Sequence, residues 1–320
     1  MRFALMIEPQ QGLTYAEQLA IARTAEAAGF EALFRSDHYE GFPPPGADVH
    51  TTDAWAVLAG LARDTSRIGL GALVSPVLFR TPGNLAKVAI TVDEMSGGRI
   101  EVGVGAGWNE PEHLGHGFPF PEIGERADWL EDTLEVLHGL WDGPDGWSFA
   151  GRHVTVTNAR FRPKAGSIPG RASGRPPIIV GGSGSPRSYR IAARYADEFN
   201  LSSASPELAA EKYAGLDAAL RAAGRDPGSI THSAMIGVLV GRDAAEIRRR
   251  EGDLLAAMGA DDQGEAWFEA RRPRWIHGTP ESARATVERF AAVGVERIML
   301  QDFLPRDLEM ITLAGEALIG

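Results

Sequence analysis

Short runs of β-type residues alternate with helix-length amphipathic stretches along the whole 320-residue chain, and this alternation limits the fold more than any other feature. FALMI (3–7) leads into TYAEQLAIARTAEAAG (14–29), with Thr14 as N-cap, Glu17 as its capping-box partner and Gly29 as the terminating glycine. EALFRSD precedes a Pro-rich GFPPPG loop and a helix opening near Thr52 or Asp53. RIGLGALV (67–74) runs into a helix with Pro82 in its first turn, and RIEVGVG is followed by a helix from about Gly124 to Trp141. PPIIVGGSG, DEFNLS and THSAMIGVLVG supply three more strands, the last followed by helical segments near 243–270 and over PESARATVERFAAVG. VERIMLQD and a helix over RDLEMITLAGEALIG end the series. Eight strands, each followed by helix, predict an α/β fold of the (β/α)8 TIM-barrel type rather than a doubly wound sheet. Residues 1–320 read as a single domain with excursions at about 143–176, including a small hairpin around WSFAGRHVTV, and at about 243–275.

Composition narrows the function. A formal charge of −11 argues against a nucleic-acid backbone or an anionic membrane as partner, because both recruit clustered Lys and Arg. Without cysteine there is no thiolate metal site and no thiol nucleophile. MRFALMIEPQQ is too short an apolar run for a signal peptide, and the expected location is cytoplasmic.

VGVGAGWNEPE (102–112) carries Gly103, Gly105 and Gly107. A dinucleotide fingerprint requires a further glycine where Trp108 stands, and these glycines follow the fourth strand rather than the first. On a barrel they lie at the C-terminal rim, where they either let a flat ring approach the backbone or relieve crowding inside the barrel; their spacing leaves both readings open. The same rim gathers Glu8 from strand one, the adjacent acid and imidazole Asp37 and His38 from strand two, and Gln301 and Asp302 from strand eight. Histidine exchanges protons most readily near neutral pH, which makes His38 with Asp37 the candidate catalytic pair. Val180, Gly181, Gly182, Ser183 and Gly184 run into a helix start and read as an anion site. Arg187, Arg190, Arg162 and Lys164 are near enough in sequence to meet further anionic groups. His113 and His116 are three apart, but Pro111, Gly115 and Gly117 around them argue against a metal-binding helical face, so no metal is expected. HEXXH, P-loop and G-x-S-x-G patterns are absent.

AAGFEALFRSDHY, the long GLGALVSPVLFRTPGNLAKVAITVDEMSGGRIEVGVGAGWNEPEH stretch, PPIIVGGSGSPRSYRIAARYADEFN and GTPESARATVERFAAVGVERIMLQ together resemble the bacterial luciferase-like flavin superfamily, in its actinobacterial branch dependent on coenzyme F420. The resemblance implies a TIM-barrel homodimer that binds a flavin or deazaflavin at the C-terminal rim. It implies that Asp37 and His38 contact the ring system or the substrate, and that Leu73-Val74 is a bulged non-prolyl cis peptide backing the ring. It further implies that Ala106, Gly107 and Asn109 edge the ring and that Gly181 to Gly184 bind its phosphate. The expected reaction is hydride transfer between C5 of F420 and a small organic substrate, with His38 handling the proton. Sugar-phosphate dehydrogenase members carry a glutamate just after the strand-four turn; here stand Trp108 and Asn109, with Glu110 and Glu112 displaced. An apolar or planar substrate near Trp108 and Glu8, other than a sugar phosphate, is therefore expected. FMN shares the tricycle and ribityl phosphate, so an FMN-dependent monooxygenase is the first alternative. A flavin-binding protein without turnover is the second. A barrel lyase or hydrolase would need a rim lysine that the strand ends lack.

Overall fold

A computed structural model of the protein describes residues 1–42, 48–171 and 174–320; residues 43–47 of the expected Pro-rich loop and 172–173 of the first excursion lie outside the described residues. The strands are β1 (Arg2–Ile7), β2 (Ala32–Arg35), β3 (Gly69–Pro76), β4 (Ile100–Gly105), β5 (Trp147–Ala150), β6 (Thr155–Ala159), β7 (Ile178–Gly182), β8 (Glu198–Ser202), β9 (Thr231–Val240), β10 (Trp275–Gly278) and β11 (Arg297–Asp302). The α-helices are α1 (Tyr15–Ala27), α2 (Ala54–Asp64), α3 (Pro82–Ser96), α4 (Glu110–Gly115), α5 (Ile123–Asp142), α6 (Pro186–Tyr195), α7 (Pro206–Ala222), α8 (Ala244–Ala257), α9 (Glu265–Glu269), α10 (Pro280–Ala292) and α11 (Leu308–Leu318).

Eight strands, β1, β2, β3, β4, β7, β8, β9 and β11, pair in parallel in that order, and β11 returns to β1 to close the expected barrel. Helix starts are set by the residues that sequence singled out. Thr14 and Glu17 form the reciprocal capping box of α1, Asp53 caps α2, and Thr81 with Pro82 opens α3. The hairpin of the first excursion is β5 against β6.

Two elements escape the alternation. β10 is a four-residue strand that pairs with Gly237–Val240, the far half of the long β9. α4 starts at once after the β4 loop because Pro111 suits a first helical turn, so His113 stands on a short helix and not in a loop.

Parallel strands are covered on both faces, so their side chains alternate between two apolar layers. Inside the barrel, Ala4, Met6, Ala32, Phe34, Leu73, Ile179 and Met299 form a compact cluster, while Leu5, Leu33, Ile298 and Leu300 pack outward under the helices. At the N-terminal ends of the strands Arg297 plugs the barrel. Its guanidinium meets Glu101 at 2.6 and 2.9 Å, Glu198 at 3.0 Å and Glu31 at 2.5 Å, and lies over Phe34. Burial pushes the Glu198 and Glu31 carboxyls up, against the pull of Arg297. With this end filled, a ligand has access from the C-terminal ends.

Candidate active site

A cavity of about 1020 Å³ opens there. That is at the upper edge of the roughly 300–1,000 Å³ usual for small-molecule sites, enough for a cofactor with a substrate beside it. Its wall on the β3 side is the Leu73–Val74 peptide, which is cis and bulged: the β3–β4 register shifts between Ala72 and Ser75.

The glycines of β4 are explained by this bulge. A Cβ on Gly103 would stand 2.2 Å from the Ala72 carbonyl oxygen, and one on Gly105 would stand 2.7 Å from Val74 Cγ2. Gly181 across on β7 is similarly close to Val74 Cγ1, at 3.0 Å. The space they free is occupied by the bulge and its valine, so of the two readings left open by the spacing it is crowding inside the barrel that the glycines relieve. Gly107 has a different reason. Its φ is +79°, and a Cβ there would stand 3.0 Å from His113 Nε2.

His38 lines the cavity, and its ring is held from behind. Nδ1 lies 2.8 Å from Glu112 Oε2. Glu112 is fully buried, and its other oxygen accepts from the amides of Tyr39 at 2.5 Å and Glu40 at 3.1 Å, with Asn109 Nδ2 at 3.3 Å from Oε2. Burial opposes ionisation of Glu112, but the bond and charge of His38 and the two amides outweigh it and hold the carboxyl below its ordinary value. A carboxylate can only accept, so neutral His38 keeps its proton on Nδ1 and presents Nε2 as a lone pair. Glu112 is the functional residue that sequence reasoning set aside as displaced; the available signal was Pro111, which begins a helix that carries Glu112 back beneath the rim.

Asp37 has a different place from the one expected. It is buried away from the cavity, accepting from Ser75 Oγ at 2.7 Å and pairing with Arg80 at 2.5 Å, while Arg80 also pairs with Asp53 at 2.5 Å. The two carboxylates raise the Arg80 pKa in spite of its burial. Asp37 therefore fixes the β2 and β3 ends to each other and is not part of the cavity lining. Just past the end of β2 at Arg35, Ser36 and His38 line the cavity and Asp37 between them does not, so the chain keeps the alternation of the strand before it.

Among the other expected residues, Leu73, Val74, Ala106, Gly107, Gly181, Gly182 and Ser183 line the cavity, as do Trp108 and Glu8. Asn109, Val180 and Gly184 do not. Asn109 supports Glu112, Val180 packs outward in the helix-covered core, and a Cβ on Gly184 would meet Tyr189 Oη and Lys212. Glu8 accepts from Gln10 Nε2 and Gln301 Nε2, both at 2.7 Å, and Gln10 Oε1 accepts from Ser36 Oγ. These groups make one polar edge of a cavity whose other walls hold Met6, Val74 and Met235 together with Asn200, Ser202 and Asp302. The Gly181–Ser183 loop meets the start of α6, whose cap Ser185 binds the Ser188 amide. The cations near this loop in sequence are engaged elsewhere: Arg187 with Asp128 and Glu131, Arg162 with Asp145, Lys164 with the Leu140 and Gly143 carbonyls, and Arg190 with the Pro186 carbonyl. Among the described residues no group of three or more His, Asp or Glu is placed to hold a metal.

A closed parallel barrel with a cavity at its C-terminal rim, backed by a bulged cis peptide, places the chain among the (β/α)8 barrels. The chain belongs to the luciferase-like monooxygenase family, whose profile matches residues 1–298. It is 33% identical over 212 residues to an F420-dependent glucose-6-phosphate dehydrogenase of Microbacterium testaceum, covering 65% of this chain and 60% of that relative's length. To the pyrimidine monooxygenase RutA of Shigella flexneri it is 28% identical over 297 residues, 90% of this chain and 73% of the relative. Its fold matches that of an F420-dependent secondary alcohol dehydrogenase in complex with an F420-acetone adduct, with a TM-score of 0.81 at 21% identity over 99% of this chain and 98% of the other.

Proposed function

We propose that the protein is an F420-dependent oxidoreductase that moves a hydride between the deazaflavin and a small organic substrate. The observation that carries this reading is the His38–Glu112 pair at the edge of a slot backed by the Leu73–Val74 bulge. Relatives named for F420 support the cofactor, and the cavity fits it: the wall of Met6, Val74 and Met235 suits the tricycle, the Glu8–Gln10–Gln301 edge suits its polar rim, and the Gly181–Ser183 loop at a helix start suits its phosphate.

Bound there, the deazaflavin supplies hydride exchange at C5. Val74 and the barrel wall orient its ring. Gly181 to Ser183 hold the ribityl phosphate. His38 Nε2 takes a proton from the substrate during oxidation and returns it during reduction, and Glu112 stabilises the imidazolium between those events. A substrate other than a sugar phosphate belongs to this proposal; the likeness to a glucose-6-phosphate dehydrogenase weighs against it, and the aromatic wall at Trp108 weighs for it. A single domain over 1–320, a homodimer and a cytoplasmic location are also proposed, the homodimer on the family resemblance. Among the described residues no helix is long and apolar enough to cross a membrane.

An FMN-dependent monooxygenase is the second reading, favoured by the length of the match to a pyrimidine monooxygenase. His38→Ala tests the first. It is expected to bind F420 as the wild type does and to lose about 10²- to 10⁴-fold in turnover of a substrate established for the wild type. Full turnover by the variant would refute the role of His38.

A further inference from the structure

We infer that the substrate is an uncharged alcohol or carbonyl compound with an apolar or planar body, selected by Phe42 and Trp108 beside His38. This rests on the hydride-transfer reading above and adds to it the chemical class of the second ligand.

The first observation is an aromatic wall around the reacting histidine. The Phe42 ring meets the His38 ring edge-on at 4.6 Å, and Trp108 lies 5.2 Å from Phe42 and 5.7 Å from His38. Phe42 is held in place by one side chain: its amide donates to Gln11 Oε1 at 2.9 Å and its carbonyl accepts from Gln11 Nε2 at 3.3 Å. Trp108 is 65% exposed and lines the cavity, so its face is available to a ligand. Leu13, Ile123 and Met258 continue the apolar surface.

The second observation is the distribution of charge. Arg306 is the one Lys or Arg among the described lining residues, and it is engaged: Nε binds Glu17 Oε1 at 2.6 Å and Nη2 binds the Gly12 carbonyl at 2.8 Å. Arg80, behind His38, is spent on Asp37 and Asp53. Arg249, in the groove that continues outward past Arg306, pairs with Asp253 and Asp307. Residues 43–47 and 172–173, outside the described set, are Pro, Gly, Ala and Ser and bring no charge. The acids Glu8 and Asp302 belong to the lining, and Glu112 stands behind His38. A phosphate monoester carries about −1.5 to −2 near neutral pH and is bound by Arg or Lys donors. Next to His38 it would find the Phe42 and Trp108 rings, with the Glu112 carboxylate behind. Desolvating it without a partner is heavily disfavoured, whereas a neutral alcohol or carbonyl, with one polar oxygen to set against His38, loses far less.

His38 fixes the reacting group. On oxidation the carbinol C–H bond breaks, with its electron pair leaving as hydride to C5 of oxidised F420, while the hydroxyl proton passes to His38 Nε2 and the C=O bond forms. In reverse, the carbonyl carbon receives hydride from reduced F420 and its oxygen receives the His38 proton.

The test uses 1-phenylethanol and cyclohexanol with F420, acetophenone and cyclohexanone with reduced F420, and glucose 6-phosphate with F420. Deazaflavin absorbance follows turnover, and quenching of tryptophan fluorescence in the F420-loaded protein follows binding. The neutral probes are expected to bind and turn over, and glucose 6-phosphate to do neither. Trp108→Ala and Phe42→Ala are expected to raise KM for the neutral probes at least fivefold with F420 affinity within twofold of wild type. Turnover of glucose 6-phosphate, failure of all neutral probes to bind, or an unchanged KM in both variants would overturn the inference while F420 binding still upheld the cofactor reading. Loss of F420 binding by the wild type would instead refute that reading.

Discussion

His38 and Glu112 are 74 positions apart in sequence and 2.8 Å apart in space, and the chemistry of the site depends on that contact. Replacing Glu112 by Gln keeps the shape but lets the amide donate to Nδ1, which moves the imidazole proton to Nε2 and removes the base. Glu112→Gln is expected to lower kcat with little change in KM, by less than the loss in His38→Ala, and to shift the acid limb of the pH–rate profile. The same carboxyl, held below its ordinary value, contributes stability above that ordinary range and loses it as pH falls through the lowered value. The variant lacks this acid-side dependence. A wild-type kcat and profile would deny Glu112 its role. Sequence pointed to His38 because it stands at a strand end, but it paired that histidine with its neighbour. The alternation of β2 carries on past its end, so Asp37 turned to Arg80, and the partner of His38 came from an unrecognised helix turn.

At the level of elements, the strand–helix alternation was legible because each long element carries its own signal. The capping box at Thr14 and the proline at the start of α3 appear where expected. β10 and α4 were not legible because four to six residues are too few to show a period. The glycine run was visible, but its purpose depends on β3, whose bulge leaves no mark that spacing could reveal. Gly103→Ala is expected to cost about 1–3 kcal/mol by overpacking, since its Cβ would meet the Ala72 carbonyl at 2.2 Å, and to weaken F420 binding as the bulge moves. Gly83→Ala, in the first turns of α3 with nothing within 4 Å, serves as the control and is expected to be neutral or slightly stabilising. Thermal melts and F420 titrations check both; a Gly103→Ala melt matching wild type would contradict the packing argument.

Across the whole molecule the barrel is built as a stopper and a cup. Arg297 and its three carboxylates fill one end, and the inner cluster of Ala4, Met6, Phe34, Leu73, Ile179 and Met299 forms the base on which the rim cavity stands. Composition and alternation revealed the barrel, and motif order revealed the family, because both are spread along the chain. The substrate wall was only partly legible: Trp108 stood out as a letter, while its contacts with Phe42 and His38 arise from loops that meet only in the folded chain. The cavity is proposed to hold a deazaflavin. Titrating the purified protein with F420 and separately with FMN, followed by ligand fluorescence, tests it most directly. F420 is expected to bind with Kd below about 100 μM, about −5.5 kcal/mol, and FMN more weakly. Binding of FMN without F420, or of neither, would contradict it.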